Sequence, residues 1–326
     1  GIYEKEFMNF QKDVPREECG VVGVYSNNTY PISKEIFFGL YALQHRGQES
    51  AGICTSDGNN FNIHKGMGLV AQVFEESIFD NLKGNIGIGH TRYSTTGSSK
   101  IENAQPFLTQ GANIDIALAH NGNVINSNEL KNEIIDSGHQ LLSSSDSEII
   151  AHLIAFAPAQ SWKDKIAYCM RKIQGAYSLV FMDKNELIGM RDPLGVRPLC
   201  IGKKKDEWVI ASESCALDHM GADFVREINP GEAVLINKNG PITIYQRELS
   251  ETMGACVFEH IYFARPDSKI NGSLLYKNRM AMGAELAKEF PTEADMVIGV
   301  PDSATAAAVG YSQESGIPFG EGLVKN

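Results

Sequence analysis

Cys19 stands beside a glycine, where a mixed-charge stretch gives way to the β-branched run CGVVGVYS. A thiol at that place is a candidate nucleophile if the chain is cut just before it. The cut would give Cys19 its own α-amino group, with a pKa of about 7.7–8.0, able to take the thiol proton directly or through a water. The bland alternative is a buried structural cysteine. Three further runs carry chemistry-bearing residues. GHTRYSTTG, residues 89–97, presents Arg92, whose planar fork suits a carboxylate; a surface ion pair is the alternative. In AHNGNV, residues 119–124, the Asn121 amide and the Gly122 backbone N–H could face a developing oxyanion, or Asn-Gly could simply turn a hairpin. In SSSDSEII, residues 143–150, Asp146 could hold a substrate ammonium. Alternatively Ser144 or Ser145 caps a helix, with Asp146 and Glu148 in its first turn.

The elements that must position these residues are legible as texture. The β-branched run from Cys19 predicts a strand, and helical spacing of Ile36, Phe37, Leu40 and Leu43 predicts a helix over 33–43. Short glycine-broken apolar strands follow: GICTSD, FNIHKG, IGIGHTRYS and IDIALAHNGNV. Helices are expected over 127–137, 146–157 and 162–173, and strands resume from AYSLVFMD to ITIYQRE. Strands, then helices, then strands again suggest an α+β layering with largely antiparallel sheets. Near residue 250 the pattern changes. Ser273 is expected to cap a helix with Leu275, Met282, Leu286 and Phe290 on one side. MVIGV, PDSAT and AAAVGYSQESG then read as strand, tight turn and helix, the first half of a βαβ unit.

Composition narrows the classes. The 326 residues are 43% hydrophobic and 21% charged, enough chain for a large core and about two domains. Twenty-nine basic against forty acidic residues leave a net charge of −11, which argues against general nucleic-acid binding, although a local basic pocket could hold a phosphate. The six cysteines form no CxxC pair, the N-terminus has no apolar signal-peptide core, and the longest near-apolar stretch, 149–159, is too short to span a bilayer. The expected protein is soluble and cytoplasmic with reduced thiols, binding neither nucleic acid nor membrane.

The order CGVVGV, QHRGQESAG, GHTRYSTTG, AHNGN, SDSE, RDPLGVRPL and ASESCAL resembles the class II glutamine amidotransferases. CVFEHIYFARPDS (256–268) and GVPDSATAAAVGY (299–311) narrow the resemblance to the amidophosphoribosyltransferase family. The resemblance implies a four-layer αββα N-terminal-nucleophile hydrolase sandwich over 19–250. The incomplete start of an α/β type I phosphoribosyltransferase domain would follow over 251–326, and residues 1–18 would form a removable propeptide. It implies Cys19 as nucleophile, Asn121 and Gly122 as the oxyanion pair, Arg92 on the glutamine α-carboxylate, Asp146 on the α-amino group, and Arg46 in support. It implies a pyrophosphate-binding loop at Pro301, Asp302, Ser303, Ala304 and Thr305, where helix N-terminal N–H groups favour an anion. The implied reaction is the first committed step of purine synthesis. Glutamine would be hydrolysed to glutamate and ammonia, and ammonia would displace pyrophosphate from phosphoribosylpyrophosphate with Mg²⁺ assisting, giving phosphoribosylamine. Only the glutaminase half would be supported by these residues. Purine-nucleotide inhibitors and a homodimer or homotetramer are implied as well. In iron–sulfur members a cysteine at the place of Cys256 ligates a [4Fe–4S] cluster, which needs four thiolates, so Cys256 alone assembles no site. The rivals are a hexosamine- or asparagine-forming amidotransferase, against which VPDSATAAAVGY argues, and a non-catalytic module that keeps its leader.

Overall fold

The computed structural model describes residues 19–93, 100–248 and 254–325. The leader expected over 1–18, the latter half of the 89–97 motif and the boundary at 250 lie outside the described residues.

The glycine-broken apolar runs become strands, three of them buried on both faces and FNIHKG a half-exposed strand at a sheet edge. One sheet has seven strands: β1 (Gly20–Ser26), β2 (Ser50–Ser56), β3 (Phe61–Met67), β4 (Ile86–Arg92), β9 (Cys200–Lys204), β10 (Glu207–Ala211) and β11 (Asp223–Glu227), in the order β11-β9-β10-β1-β4-β2-β3. The other has six: β5 (Phe107–Gln110), β6 (Asp115–Val124), β7 (Gly175–Met182), β8 (Leu187–Arg191), β12 (Glu232–Asn237) and β13 (Gly240–Gln246), in the order β13-β12-β8-β7-β6-β5. All pairings within both sheets are antiparallel.

Alternation along each strand sorts the side chains into three layers. Val21 and Tyr25 of β1, Ile86 and Ile88 of β4, Ala117 and Ala119 of β6 and Val180 of β7 meet between the sheets. Val22 and Val24 point the other way, against Ile36 and Leu40 of helix α1 (Ser33–Ala42). The outer face of the six-stranded sheet is covered by α2 (Ser127–Asp136), α3 (Asp146–Ala155) and α4 (Trp162–Lys172). Helix α5 (Ser214–Met220) joins α1 on the other side. The result is the expected αββα sandwich. Sequence patterning overlooked β5, β11 and α5, which are only four to seven residues long.

Beyond the sandwich, a π-helical turn (Glu259–Phe263) leads through a two-stranded hairpin to helices α6 (Leu275–Glu289) and α7 (Thr305–Ser315). Two expectations fail in this part. Ser273 does not cap α6: it sits in the hairpin and bonds Asn278, while Leu274 takes the cap position without a side-chain bond. The supposed core stripe is also turned outward. Leu275 is buried, but Met282, Leu286 and Phe290 are exposed, and α6 buries Arg279, Gly283 and Ala287 instead. Backbone approach decides this. A Cβ on Gly283 would collide with the Ala307 carbonyl, and one on Gly310 with the Met280 carbonyl, so α6 and α7 meet through their smallest residues. The strand expected at 296–300 is reduced to one parallel bridge, Val297 with Phe319, because no longer strand lies alongside it among the described residues.

Candidate active site

All four of the singled-out runs meet at the same rim of the sandwich. Cys19 immediately precedes β1 and shares parity with Val21 and Tyr25, whose side chains lie between the sheets. Asn121 shares parity with Ala117 and Ala119 on the facing sheet, so both residues belong to the inter-sheet side at this end. The sheets are tied together here by His90 of β4, whose Nε2 lies 2.9 Å from the His120 carbonyl oxygen of β6.

A cavity of about 280 Å³ opens at this rim, and Cys19, Arg92, Gly122 and Asp146 are all in its wall, with Gln105 and His120. Asn121 is not in the wall. It lies fully buried behind it, and among the described residues neither its Nδ2 nor its Oδ1 has a hydrogen-bond partner. The Asn-Gly pair makes no hairpin; it lies inside β6, with Asn121 opposite Ser178 and Gly122 opposite Tyr177. Gly122 has φ +140°, and a Cβ there would collide with the Ala176 carbonyl, so only glycine fits.

Asp146 and Arg92 are held by their elements, and Arg46 lies behind the nucleophile. Ser145 caps α3, its hydroxyl accepting from the Ser147 N–H at 3.2 Å, which places Asp146 in the first turn. One oxygen of Asp146 accepts from the Val124 N–H at 2.9 Å; the other lies 3.8 Å from His120 Nδ1. Arg92 ends β4, and its Nη1 donates to both oxygens of Glu49, at 3.1 and 3.0 Å. Gly47 packs so closely on the Arg92 backbone that a Cβ would not fit. Arg46, expected only as support, is fully buried; its Nε donates to the Cys19 carbonyl at 2.8 Å and its Nη1 to Glu213 at 2.8 Å.

Burial fixes the protonation of the floor. His120 donates or accepts at Ser147 Oγ (3.0 Å), which also accepts from Gln105 at 2.9 Å. Desolvation holds the His120 pKa below the ordinary histidine range and pushes His90 down to about 3. Both are therefore neutral at pH 7, and the cavity keeps Arg92 as its cationic wall group and Asp146 as its anionic one. Between about pH 6.5 and pH 3 the unfolded chain binds a proton at residue 90 and the folded chain does not, so His90 makes stability fall as pH falls. His90→Gln, which retains a donor for the His120 carbonyl, is expected to flatten the pH dependence by about 1.4 kcal/mol per pH unit relative to the parent. Urea unfolding at pH 6.5 and 5 checks this; equal slopes in parent and variant would refute it.

Glu49, Glu213, His120 and Gln105 were not given roles from sequence. The first two sit inside runs that were singled out, QHRGQESAG and ASESCAL, but acidic residues are common and nothing in their spacing marked them as arginine partners.

The phosphate-loop residues lie elsewhere. Pro301, Asp302 and Ser303 line a second cavity of about 670 Å³ with His45, Tyr262 and Arg265. Ala304 caps α7 and Thr305 begins it. Two loop N–H groups are already engaged, Ala304 with Val300 O and Thr305 with Asp302 O. Asp302 is 3.7 Å from Lys325. Cys256 is partly exposed, with Sγ 3.8 Å from Arg197 Nη1. Among the described residues no group of three or more His, Cys, Asp or Glu is placed to hold a metal ion, and no helix is long and apolar enough to cross a membrane.

Residues 90–219 match a glutamine amidotransferase domain family. The chain is 45% identical over 325 residues to an amidophosphoribosyltransferase of Methanocaldococcus jannaschii, covering 94% of this chain and 69% of the relative. The chain belongs to the amidophosphoribosyltransferase family. Within the family, the relative from Methanothermobacter thermautotrophicus is 45% identical, with 95% of this chain and 66% of the relative covered. The Mycobacterium tuberculosis relative is 47% identical, with 96% and 60% covered. Thus the chain spans about two thirds of the length of the family members it matches. A solved structure of the family, glutamine phosphoribosylpyrophosphate amidotransferase from B. subtilis complexed with ADP and GMP, superposes with a TM-score of 0.87 at 41% identity, covering 94% of this chain and 66% of that one.

Proposed function

We propose that this chain carries the glutamine-hydrolysing half of an amidophosphoribosyltransferase, with Cys19 as nucleophile. The observation that supports the reading most is the single cavity walled by Cys19, Arg92, Gly122 and Asp146. Glutamine has one anion, one cation and one amide, and the cavity offers a partner for each. Arg92 takes the α-carboxylate and Asp146 the α-ammonium, which leaves the side-chain amide toward Cys19. The Cys19 thiol passes its proton to its own α-amino group as Sγ attacks the amide carbon. The Gly122 N–H and the Asn121 amide receive the oxyanion. The α-ammonium so formed then protonates the amide nitrogen, which departs as ammonia as the C–N bond breaks, and water hydrolyses the thioester to glutamate and regenerates the thiol. This assignment requires removal of residues 1–18, because a peptide bond at the Cys19 nitrogen would take away its base.

In the intact enzyme, ammonia would displace pyrophosphate from phosphoribosylpyrophosphate, and 301–305 would hold the diphosphate. Partial use of that loop's N–H groups within its own turn leaves the rest for a phosphate. The described residues do not assemble a four-thiolate cluster around Cys256, nor a carboxylate set for Mg²⁺, since Asp302 is the loop's one acid. Purine-nucleotide regulation, a dimeric or tetrameric state and a cytoplasmic location belong to the same proposal.

The test is glutamine turnover by the chain beginning at Cys19, followed as glutamate and ammonia release. Arg92→Ala should raise KM about 10–100-fold, the loss of a charge-assisted hydrogen bond, with a smaller change in kcat. Turnover by a chain that retains Gly1 at the parent rate would overturn the assignment of the base. A hexosamine-forming or asparagine-forming enzyme would share the glutaminase result but not bind phosphoribosylpyrophosphate.

A further inference from the structure

Arg46 is held from two directions. Nη1 is shared between Glu213, at 2.8 Å, and Glu259, at 2.9 Å, and Nη2 donates to the other oxygen of Glu259 at 2.6 Å. The Arg46 side chain is 0% exposed and that of Glu259 3%. Glu213 is a shared acceptor. It also meets His45 Nε2 at 2.6 Å, the Ser268 hydroxyl at 2.9 Å and the Arg265 N–H at 2.7 Å. Glu259 is the side chain that engages both terminal nitrogens, and a two-point fork fixes the plane of a guanidinium where one point leaves it free to turn. The remaining Arg46 contact, from Nε, goes to the carbonyl of Cys19.

We propose that Glu259 is a positioning residue for the nucleophile: by fixing the Arg46 fork it sets the backbone of Cys19, and with it the direction of Sγ and of the α-amino group. This rests on the reading of Cys19 as nucleophile and deepens it. Glu259 lies in the π-helical turn, outside both sheets of the sandwich. The turn is tied to the next part of the chain by Arg279 of α6, whose Nε and Nη2 donate to the carbonyls of His260 and Ala264, both at 2.7 Å. The geometry of the thiol therefore depends on a segment that β-sandwich patterning alone would leave out. Without Glu259, Nη2 loses its described acceptor in a buried place, the guanidinium rotates, and the Nε–H leaves the Cys19 carbonyl. Displacement of a reacting group by an ångström is enough to slow a reaction about 10²-fold.

The experiment uses the chain from Cys19 to Asn326 with Glu259→Gln, Arg46→Lys and the double variant. Two rates are read: glutamine turnover, and alkylation of Cys19 by iodoacetamide, located by peptide mass. For Glu259→Gln, kcat and the alkylation rate should each fall about 10–100-fold, while KM for glutamine, set by Arg92 and Asp146, stays within about twofold. Because Glu259 acts through Arg46, the double variant should be no worse than Arg46→Lys alone. Parental rates in Glu259→Gln with a lowered melting temperature would show a purely structural ion pair and overturn the proposal. So would additive losses in the double variant. If Glu259→Gln does not accumulate as folded protein, Glu259→Asp carries the test. It keeps the charge but draws the carboxylate back by one methylene, and should cost about tenfold in kcat. A parent that neither alkylates at Cys19 nor hydrolyses glutamine sinks the reading of the nucleophile itself, whereas a competent parent matched by its Glu259 variant sinks this proposal alone.

Discussion

Cys19→Ser, in a chain beginning at residue 19, is expected to abolish glutamine hydrolysis and leave the fold unchanged. A hydroxyl in that place has nearly the thiol's shape, so the local packing is preserved. It does not have the thiol's acidity, and the α-amino group is too weak a base to ionise it near neutral pH. Loss of a nucleophile typically costs at least about 10³-fold and often far more. The same chemistry makes a labelling result selective. Burial pushes the thiols of Cys54 and Cys169 up to about 12, and those of Cys200 and Cys215 also well above their ordinary value. Cys256 is partly exposed, but it lies beside Arg197 rather than in the cavity that holds Arg92 and Asp146. A diazoketone analogue of glutamine should therefore label Cys19 alone, and glutamine should protect it. Label spread over Cys19 and Cys256, or label insensitive to glutamine, would remove the case for this cavity as the substrate site.

What could be read from the sequence was decided by how local the physical cause is. Strand texture is local: the apolar runs CGVVGVYS and IDIALAHNGNV announce β1 and β6, but both faces of each strand are buried, so only the fold decides that the parity of Cys19 and Asn121 turns between the sheets. The Ser145 cap is local too, and it sets Asp146. The Asn-Gly pair shows the limit. As a dipeptide it favours a turn, yet inside β6 the pairing with Tyr177 and Ser178 overrides that preference, and the glycine is needed for its positive φ instead. Helix α6 shows the same limit in packing. Its large apolar residues looked like a core stripe, but the face that meets α7 was chosen by Gly283 and Gly310, because carbonyls approach there too closely for any side chain. Ion-pair partners were the least legible. Among 40 acidic residues, Glu49, Glu213 and Glu259 are separated from their arginines by anything from 43 to 213 positions, and only the fold brings them together. Arg92 stands out by its planar fork, with a surface ion pair as the alternative, and Arg46 only through the family resemblance carried by QHRGQ. A carboxylate acquires its role from what lies opposite.

Asn121→Ala separates the chemistry from the stability more sharply than any other change at this site. The amide is fully buried, and neither of its polar atoms has a hydrogen-bond partner among the described residues. A buried amide without partners is destabilising by about 1–3 kcal/mol, so the fold has no reason of its own to keep it there. On the proposed reading an oxyanion supplies the reason, since a donor set in a water-poor place is strongest where charge appears only in the transition state. Removing it should lower kcat about 10²–10³-fold with little change in KM, because the ground-state contacts proposed for Arg92 and Asp146 are untouched. The melting temperature should hold or rise. Gly122→Ala, one residue along, should behave in the opposite way: its Cβ meets the Ala176 carbonyl, so the strand is disrupted and activity and stability are lost together. If Asn121→Ala instead lowers the melting temperature and leaves kcat near the parent value, then the amide supports the sheet junction, and the oxyanion must be stabilised by backbone groups alone.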